Sequence, residues 1–415
     1  MKVCIVCNDT RGGVQPYIGL AQALTKKGVS VVLVAPSHLL HLAAESGLQV
    51  AALTLDADTF NHVQAMLGDA GELKGHAVIM KEMVTVLSLW MKECLEACSG
   101  CDAILAGIGG MGLGISVAEK LRVPFFHCHL QPIFAPSSLF PPVLFPVLPI
   151  NTPGWLMKAG HNLSDQLIQV LVRTGLDRAR KSVLGLRTPF RVTFNSPMLY
   201  GFTSRMAPVG HTDKVHRIAT GYWFSSSPEW TPNDELSRFV EDNAGNMICI
   251  GFGSMPAGRS YDLDASVKDV IQSSGLKAII LGGGGALQES TRDENVFFAR
   301  ELPHEWLFPK TRAVIHHGGA GTTGAVLRAG VPSVIIPFGM DQPFWAKRIE
   351  TLGLGVALQK NRFGADVLKR AIESVLTDIT IAGNARDMGL YIQAENGAMR
   401  AADEIIHALE KSRYC

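Results

Sequence analysis

No stretch of roughly 18 uninterrupted apolar residues occurs in this 415-residue chain, so a membrane-spanning helix is not expected. The most apolar segment, residues 139–150, is cut by four prolines and reads as a greasy loop. Charge of one sign is lacking too: 38 Lys and Arg face 37 Asp and Glu. Such a balance gives no field to gather nucleic acid or an anionic surface, and points to a local site. The N-terminus shows no cationic segment, apolar core or small-residue cleavage site, which predicts a cytoplasmic protein. No GK[ST] P-loop occurs in its glycine-rich turn, so a kinase-type site is not indicated. Eight cysteines in such a chain suggest reduced thiols. Cys4 and Cys7 have CxxC spacing, but an odd number of steps along a strand sends them to opposite faces. Cys94, Cys98 and Cys101, with His127 and His129, lack the paired motif of a zinc site, and no metal is expected.

What is present is length and rhythm. A chain of this size exceeds a single core and predicts two domains. Strand and helix patterns alternate from the start: strands at 3–7, 30–35, 48–53, 103–106 and 124–128, and helices at 15–27, 39–46 and 76–98. Turn residues cluster in WFSSSPEWTPND, after which strands recur at 246–250, 277–281, 296–298, 313–316 and 333–336. An amphipathic helix is expected at 397–410. The fold class is α/β, with two doubly wound units facing a central cleft: a first domain over 1–220, a second over 221–395, and a last helix over 396–415 packing back on the first domain.

In AVIHHGGAGTTGAVLRAG, residues 313–330, a buried strand runs into a glycine-rich turn and then a helix. Backbone N–H groups and the positive helix end can approach a phosphate there. His316 and His317 lead into the turn, and Thr322 and Thr323 add polar donors. Further on, Asp341 and Gln342 follow a strand end, an acid and an amide suited to vicinal hydroxyls.

Residues 301–355 resemble the nucleotide-sugar signature of the sterol 3-beta-glucosyltransferases and of the macrolide and glycopeptide antibiotic glycosyltransferases, and CIGFGSMP is similar to their FGS loop. The resemblance implies a GT-B fold and inverting hexose transfer from a UDP-sugar, with glucose favoured, or a dTDP-sugar. It implies a hydrophobic small-molecule acceptor and neither metal nor cofactor. It gives Ser254 and His316 the diphosphate, and Gly318, Gly319, Ala320, Gly321 and Thr322 its backbone donors. Leu302, Pro303 and His304 fall along the base, and Asp341 and Gln342 on the sugar. His317 stays open between a ligand and a packing residue.

In the N-terminal half the resemblance rests on DTRGGVQP, where the family usually reads GTRGDVQP with the aspartate as general base. That position is Gly13 here. The base has moved, or the acceptor is already acidic, or the chain binds nucleotide sugar without transfer. Asp9, His127 and His129 are the candidate bases. Arg11 can pair with an anionic acceptor or a nearby carboxylate. Phe134 and Phe140, in the apolar loop 131–150, are the candidate acceptor contacts, and the same loop would suit peripheral membrane contact.

Overall fold

Strand β1 (Lys2–Val6) buries both faces, with Val3 and Ile5 in one core and Cys4 and Val6 in another. Such a strand must lie between two helical layers. The computed structural model describes residues 1–44, 46–54, 76–146, 152–173, 175–210, 215–226, 230–253, 263–283, 294–359 and 364–413. Around β1 a parallel seven-stranded sheet runs in the order β3-β2-β1-β4-β5-β6-β7, with β2 Ser30–Pro36, β3 Gln49–Leu53, β4 Ala103–Ala106, β5 Phe125–His129, β6 Met198–Tyr200 and β7 Arg217–Ala219. Helix α1 (Arg11–Lys26) covers the Val3 and Ile5 face, while α2 (Leu40–Ala44) follows β2. Helices α3 (His76–Ala97) and α4 (Ile108–Leu121) cover the other face. Cys7 lies with Val3, on the face opposite Cys4, as the odd spacing demands.

After α5 (Gly154–Arg173), α6 (Leu176–Ala179) and α7 (Asp234–Asp242), a second parallel sheet runs in the order β10-β9-β8-β11-β12-β13. Its strands are β8 Met247–Gly251, β9 Lys277–Leu281, β10 Val296–Ala299, β11 Val314–His316, β12 Ser333–Ile335 and β13 Gly355–Ala357. Central β8 repeats the alternation of β1, with Ile248 and Ile250 in one core and Met247 and Cys249 in another. Strands β6, β7 and β13 are three residues each. They are not among the strands expected from the sequence, although β11 and β12, of the same length, are. Helix α1 starts at Arg11 rather than at residue 15, so Gly12 and Gly13 form its first turn.

The last helix, α14 (Gly397–Arg413), buries Ala401, Ala402, Ile405 and Leu409 with the apolar face of α1, and Lys27 Nζ meets Asp403 Oδ1 at 2.6 Å. It follows α13 (Ile379–Glu395) of the second half, so two chain crossings join the halves. They touch at Gly221 and Gly397: Gly221 has φ +103°, and a Cβ on Gly397 would strike the Gly221 carbonyl. Gly397→Val is therefore expected to destabilise the protein by about 1–3 kcal/mol, as overpacked sites do, read as a lower denaturant midpoint.

The Pro-rich loop binds the halves together. Phe140 meets Phe344 edge-on at 5.7 Å, and Phe202 meets Trp345 at 5.6 Å. Both partners lie on α11 (Gln342–Thr351), whose buried Arg348 donates from Nε to the Met206 carbonyl at 2.7 Å.

Candidate functional site

Parallel strands deliver their carboxyl ends to one edge, and the residues after β1, β5, β8, β11 and β12 converge there. Two helix N-termini meet across this cleft. The first turn of α1 faces that of α10 (Ala320–Ala329), and a Cβ on Gly321 would come within 3.0 Å of the Gly12 carbonyl. Glycine in both turns allows that approach.

On the α1 side, Asp9 occupies the space left by Gly13. A Cβ placed on Gly13 would fall on the Asp9 carboxyl carbon and both its oxygens. The Thr10 N–H donates to Asp9 Oδ1 at 2.7 Å and so fixes the carboxyl group. Burial, assisted by the charge of Asp341, pushes the Asp9 pKa up to about 6, against the lowering bond from Thr10. The group is thus basic, desolvated and ionised at neutral pH.

Across the cleft, Asp341 ends the β12 loop, entered through Met340 in a left-handed backbone conformation. Its Oδ2 accepts from Trp345 Nε1 at 2.9 Å and from Gln131 Nε2 at 3.3 Å, the latter a bridge from the loop after β5. Gln131 was not singled out in the sequence, although its place just beyond a strand end is a usable signal. Burial holds Asp341 above the usual carboxylate range. Gln342 serves the protein rather than open space: it is buried, and its Oε1 accepts from the Phe338 and Gly339 N–H groups at 2.7 and 3.2 Å. That corrects the sugar contact expected of its carbonyl.

The glycine-rich turn is built as the strand-turn-helix pattern predicts. Gly318 has φ +88°, and a Cβ there would meet Ile335 at 2.7 Å. Gly319 is the N-cap of α10, and the first intrahelical bond runs from Thr323 N–H to the Gly319 carbonyl. The N–H groups of Ala320, Gly321 and Thr322 thus sit in the unpaired first turn, on partly exposed residues. His316 is fully buried beneath it: Nδ1 accepts from the Gly318 N–H at 3.1 Å, and Nε2 lies 3.3 Å from the Ser333 hydroxyl. The expected diphosphate contact by His316 is corrected accordingly, because both ring nitrogens are engaged in shaping the turn. Its neighbour His317 wedges between Gly253, after β8, and Gly319, each of which would meet the ring if given a Cβ. Among the described residues His317 Nδ1 has no hydrogen-bond partner. Burial lowers its pKa to about 4, so the ring is neutral at pH 7.

Leu302 and Pro303 lead into α9 (His304–Leu307), where His304 stacks on Phe308 with centroids 4.4 Å apart. Burial, with the charge of Arg11, lowers the His304 pKa to about 4. Arg11 forms an ion pair with Glu301 across the cleft. The carboxylate partner foreseen for Arg11 is thus a protein group, half-exposed and modest in energy. Ser254 lies outside the described residues.

Four expectations on the acceptor side are overturned by burial. His127 and His129 have no exposure: His127 Nδ1 lies 3.3 Å from His129 Nε2, and His127 Nε2 lies 2.7 Å from the Thr193 carbonyl. Phe134 and Phe194 close over the His127 ring, and burial lowers the pKa of both histidines. Both rings point into the core rather than to the cleft. Phe134 and Phe140 are buried as well, one in that aromatic cluster and the other against Phe344. Among the described residues no group of three or more His, Cys, Asp or Glu is arranged to hold a metal ion.

Residues 5–139 match the glycosyltransferase family 28 N-terminal domain, and residues 286–411 match the erythromycin biosynthesis protein CIII-like C-terminal domain. The sterol 3-beta-glucosyltransferase of Eremothecium gossypii is 31% identical over 411 residues, covering 94% of this chain and 33% of that protein. That of Cryptococcus neoformans var. neoformans is 31% identical over 449 residues, covering 100% of this chain and 27% of that protein. The chain thus spans a third or less of the length of these curated relatives. Among solved structures, the calicheamicin glycosyltransferase CalG4 superposes with a TM-score of 0.70 at 17% identity, covering 99% of this chain and 98% of that one. The glycosyltransferase VinC, solved with dTDP, gives 0.70 at 14% identity, covering 99% and 100%. The fold is therefore the GT-B arrangement, two Rossmann-like domains of parallel sheet and helix.

Proposed function

We propose, from the premise that this chain belongs to the GT-B glycosyltransferases, that it moves a hexose from a nucleotide diphosphate sugar to the hydroxyl of an apolar small molecule, with Asp9 as general base. The observation that carries the reading is the Asp9 carboxyl group standing in the volume vacated at Gly13. The base has moved four residues along the chain yet arrives at the same place, between the two helix ends. A sterol-like acceptor and glucose are favoured by the names of the curated relatives, UDP as carrier by the sequence resemblance alone, and dTDP by the ligand of VinC.

Asp9 takes the acceptor proton as the oxygen attacks C1 of the sugar. The bond from C1 to the diphosphate oxygen breaks with inversion, and the leaving anion keeps the electron pair. Its charge grows beside the first-turn N–H groups of α10, whose direction and partial positive charge are set before reaction. Asp341 accepts from a sugar hydroxyl, held for that by Trp345 and Gln131.

The test is turnover of labelled UDP-glucose and dTDP-glucose with a panel of sterols and phenols, read as glycoside by mass spectrometry and as released nucleotide. Product with at least one sterol or phenol is expected, unchanged by chelator. Tight nucleotide binding with no glycoside across the panel would leave a nucleotide-sugar-binding protein and sink the transferase reading.

A further inference from the structure

Helix α5 (Gly154–Arg173) carries three faces where a surface helix needs two. Met157, His161, Ser164 and Ile168 are buried on one side. Lys158, Asn162, Gln166, Gln169 and Arg173 form a polar side. Between them lies a third, apolar and in solvent: Trp155 is 72% exposed, Leu163 51%, Val170 62% and Leu171 66%, with Leu156 and Leu167 also exposed. At 100° per residue the four leucines and Val170 fall within a single sector of about 100°, and Trp155, in the first turn, stands at the border of the polar side. The patch extends beyond the helix. A Cβ on Gly154 would lie 3.0 Å from Ser138 Cβ, which sets exposed Leu139 of the Pro-rich loop beside the start of α5.

Charge distinguishes the partner. Residues 154–191 contain seven Lys and Arg against two Asp, in a chain that is otherwise balanced. Both aspartates are engaged by the protein: Asp165 accepts from the Phe134 N–H, and the partly exposed Asp177 accepts from the Phe190 N–H and pairs with Arg173 Nε. Every exposed charged residue of this stretch, from Lys158 to Arg191, is basic. No helix among the described residues is long and apolar enough to cross a membrane. An amphipathic helix with a tryptophan at one end and a cationic border has the composition of an element that lies flat in the headgroup region.

We infer that the outer face of α5, with Leu139, docks this protein on an anionic lipid bilayer. The inference does not depend on the sugar-transfer reading, and its readout is binding alone. The full chain is mixed with phosphatidylcholine vesicles with and without phosphatidylserine, and the pelleted fraction is measured at low and high salt. Binding to the phosphatidylserine vesicles is expected, weakened by salt. Leu163→Glu with Leu167→Glu is expected to lower partitioning at least about tenfold, since each leucine loses its transfer into the apolar layer. The charge reversals Arg178→Glu and Lys181→Glu are expected to lower it on phosphatidylserine alone. Both positions are exposed, so thermal melting should be unchanged. Brominated acyl chains should quench emission that Trp155→Phe removes, a readout that needs no leucine variant. Equal pelleting of wild type and the leucine variant, or no wild-type binding to either vesicle, overturns the inference. So does light scattering that shows a wild-type dimer made monomeric by the leucine substitutions, which would assign the face to a second copy of this chain.

Discussion

Asp9→Asn is expected to lower kcat by about 10² to 10⁴, the usual worth of a positioned general base, while nucleotide affinity stays near that of the wild type. Asparagine keeps the shape and the acceptor for the Thr10 N–H but cannot take a proton. The wild-type rate should rise with pH through about 6, where Asp9 ionises, and then level; the variant should lose that limb. Stability moves the other way. The folded-state pKa is raised from 3.8 to about 6, so the contribution of Asp9 is fully present below pH 3.8 and is lost as pH rises through 6. At pH 8 the half-buried carboxylate is a net cost, below about 3 kcal/mol once solvent screening is counted, at 1.36 kcal/mol per pKa unit. Asp9→Asn should accordingly melt higher at pH 8 and gain little at pH 4. The pairing with Gly13 gives a stricter check. Gly13→Asp alone should fail, because its side chain meets the Asp9 carboxyl group. Asp9→Gly with Gly13→Asp should recover turnover over Asp9→Gly. If the double substitution stays as inactive as Asp9→Gly, the equivalence of the two positions is wrong.

His317→Ala is expected to weaken UDP or dTDP binding about ten- to hundredfold, the worth of one hydrogen bond to a charged group, with little change in melting temperature. The ring sits between the two loops that flank the helix end, one nitrogen has no partner, and it is neutral at pH 7 and so carries one N–H. His316→Ala should behave differently. It leaves the Gly318 N–H without its acceptor and opens a void under the turn, so lower stability accompanies any loss of binding. Calorimetry with UDP and thermal melting on the two variants separate a ligand contact from a support. A His316→Ala protein that melts like the wild type yet binds no nucleotide would reverse the two assignments.

The alternation of strands and helices was legible in the sequence because it is periodic. Ala103–Ala106 and Lys277–Leu281 appear where the pattern put them. The glycine-rich turn was legible for a related reason: a local backbone shape has a local residue requirement, and Gly318 meets it with its positive φ. Side-chain direction was not legible. Adjacent histidines differ in role because His316 ends a buried strand and His317 begins a turn. His127 and His129 share a strand face, but Phe134 and Phe194, from later in the chain, close that face. The outer face of α5 went unseen because no helix was expected over 154–173, and spacing alone does not tell an exposed leucine from a core one.

By itself, then, the sequence determined two parallel sheets, a phosphate-suited helix end and the absence of an aspartate at position 13. Whether Asp9 could replace it depended on backbone geometry: Asp9 precedes α1, its side chain lies over the first helical turn, and glycine at position 13 leaves the space that the carboxyl group fills. Burial, partner choice and the shift of a pKa arise from atoms distant in the chain, and only the folded structure brings those together.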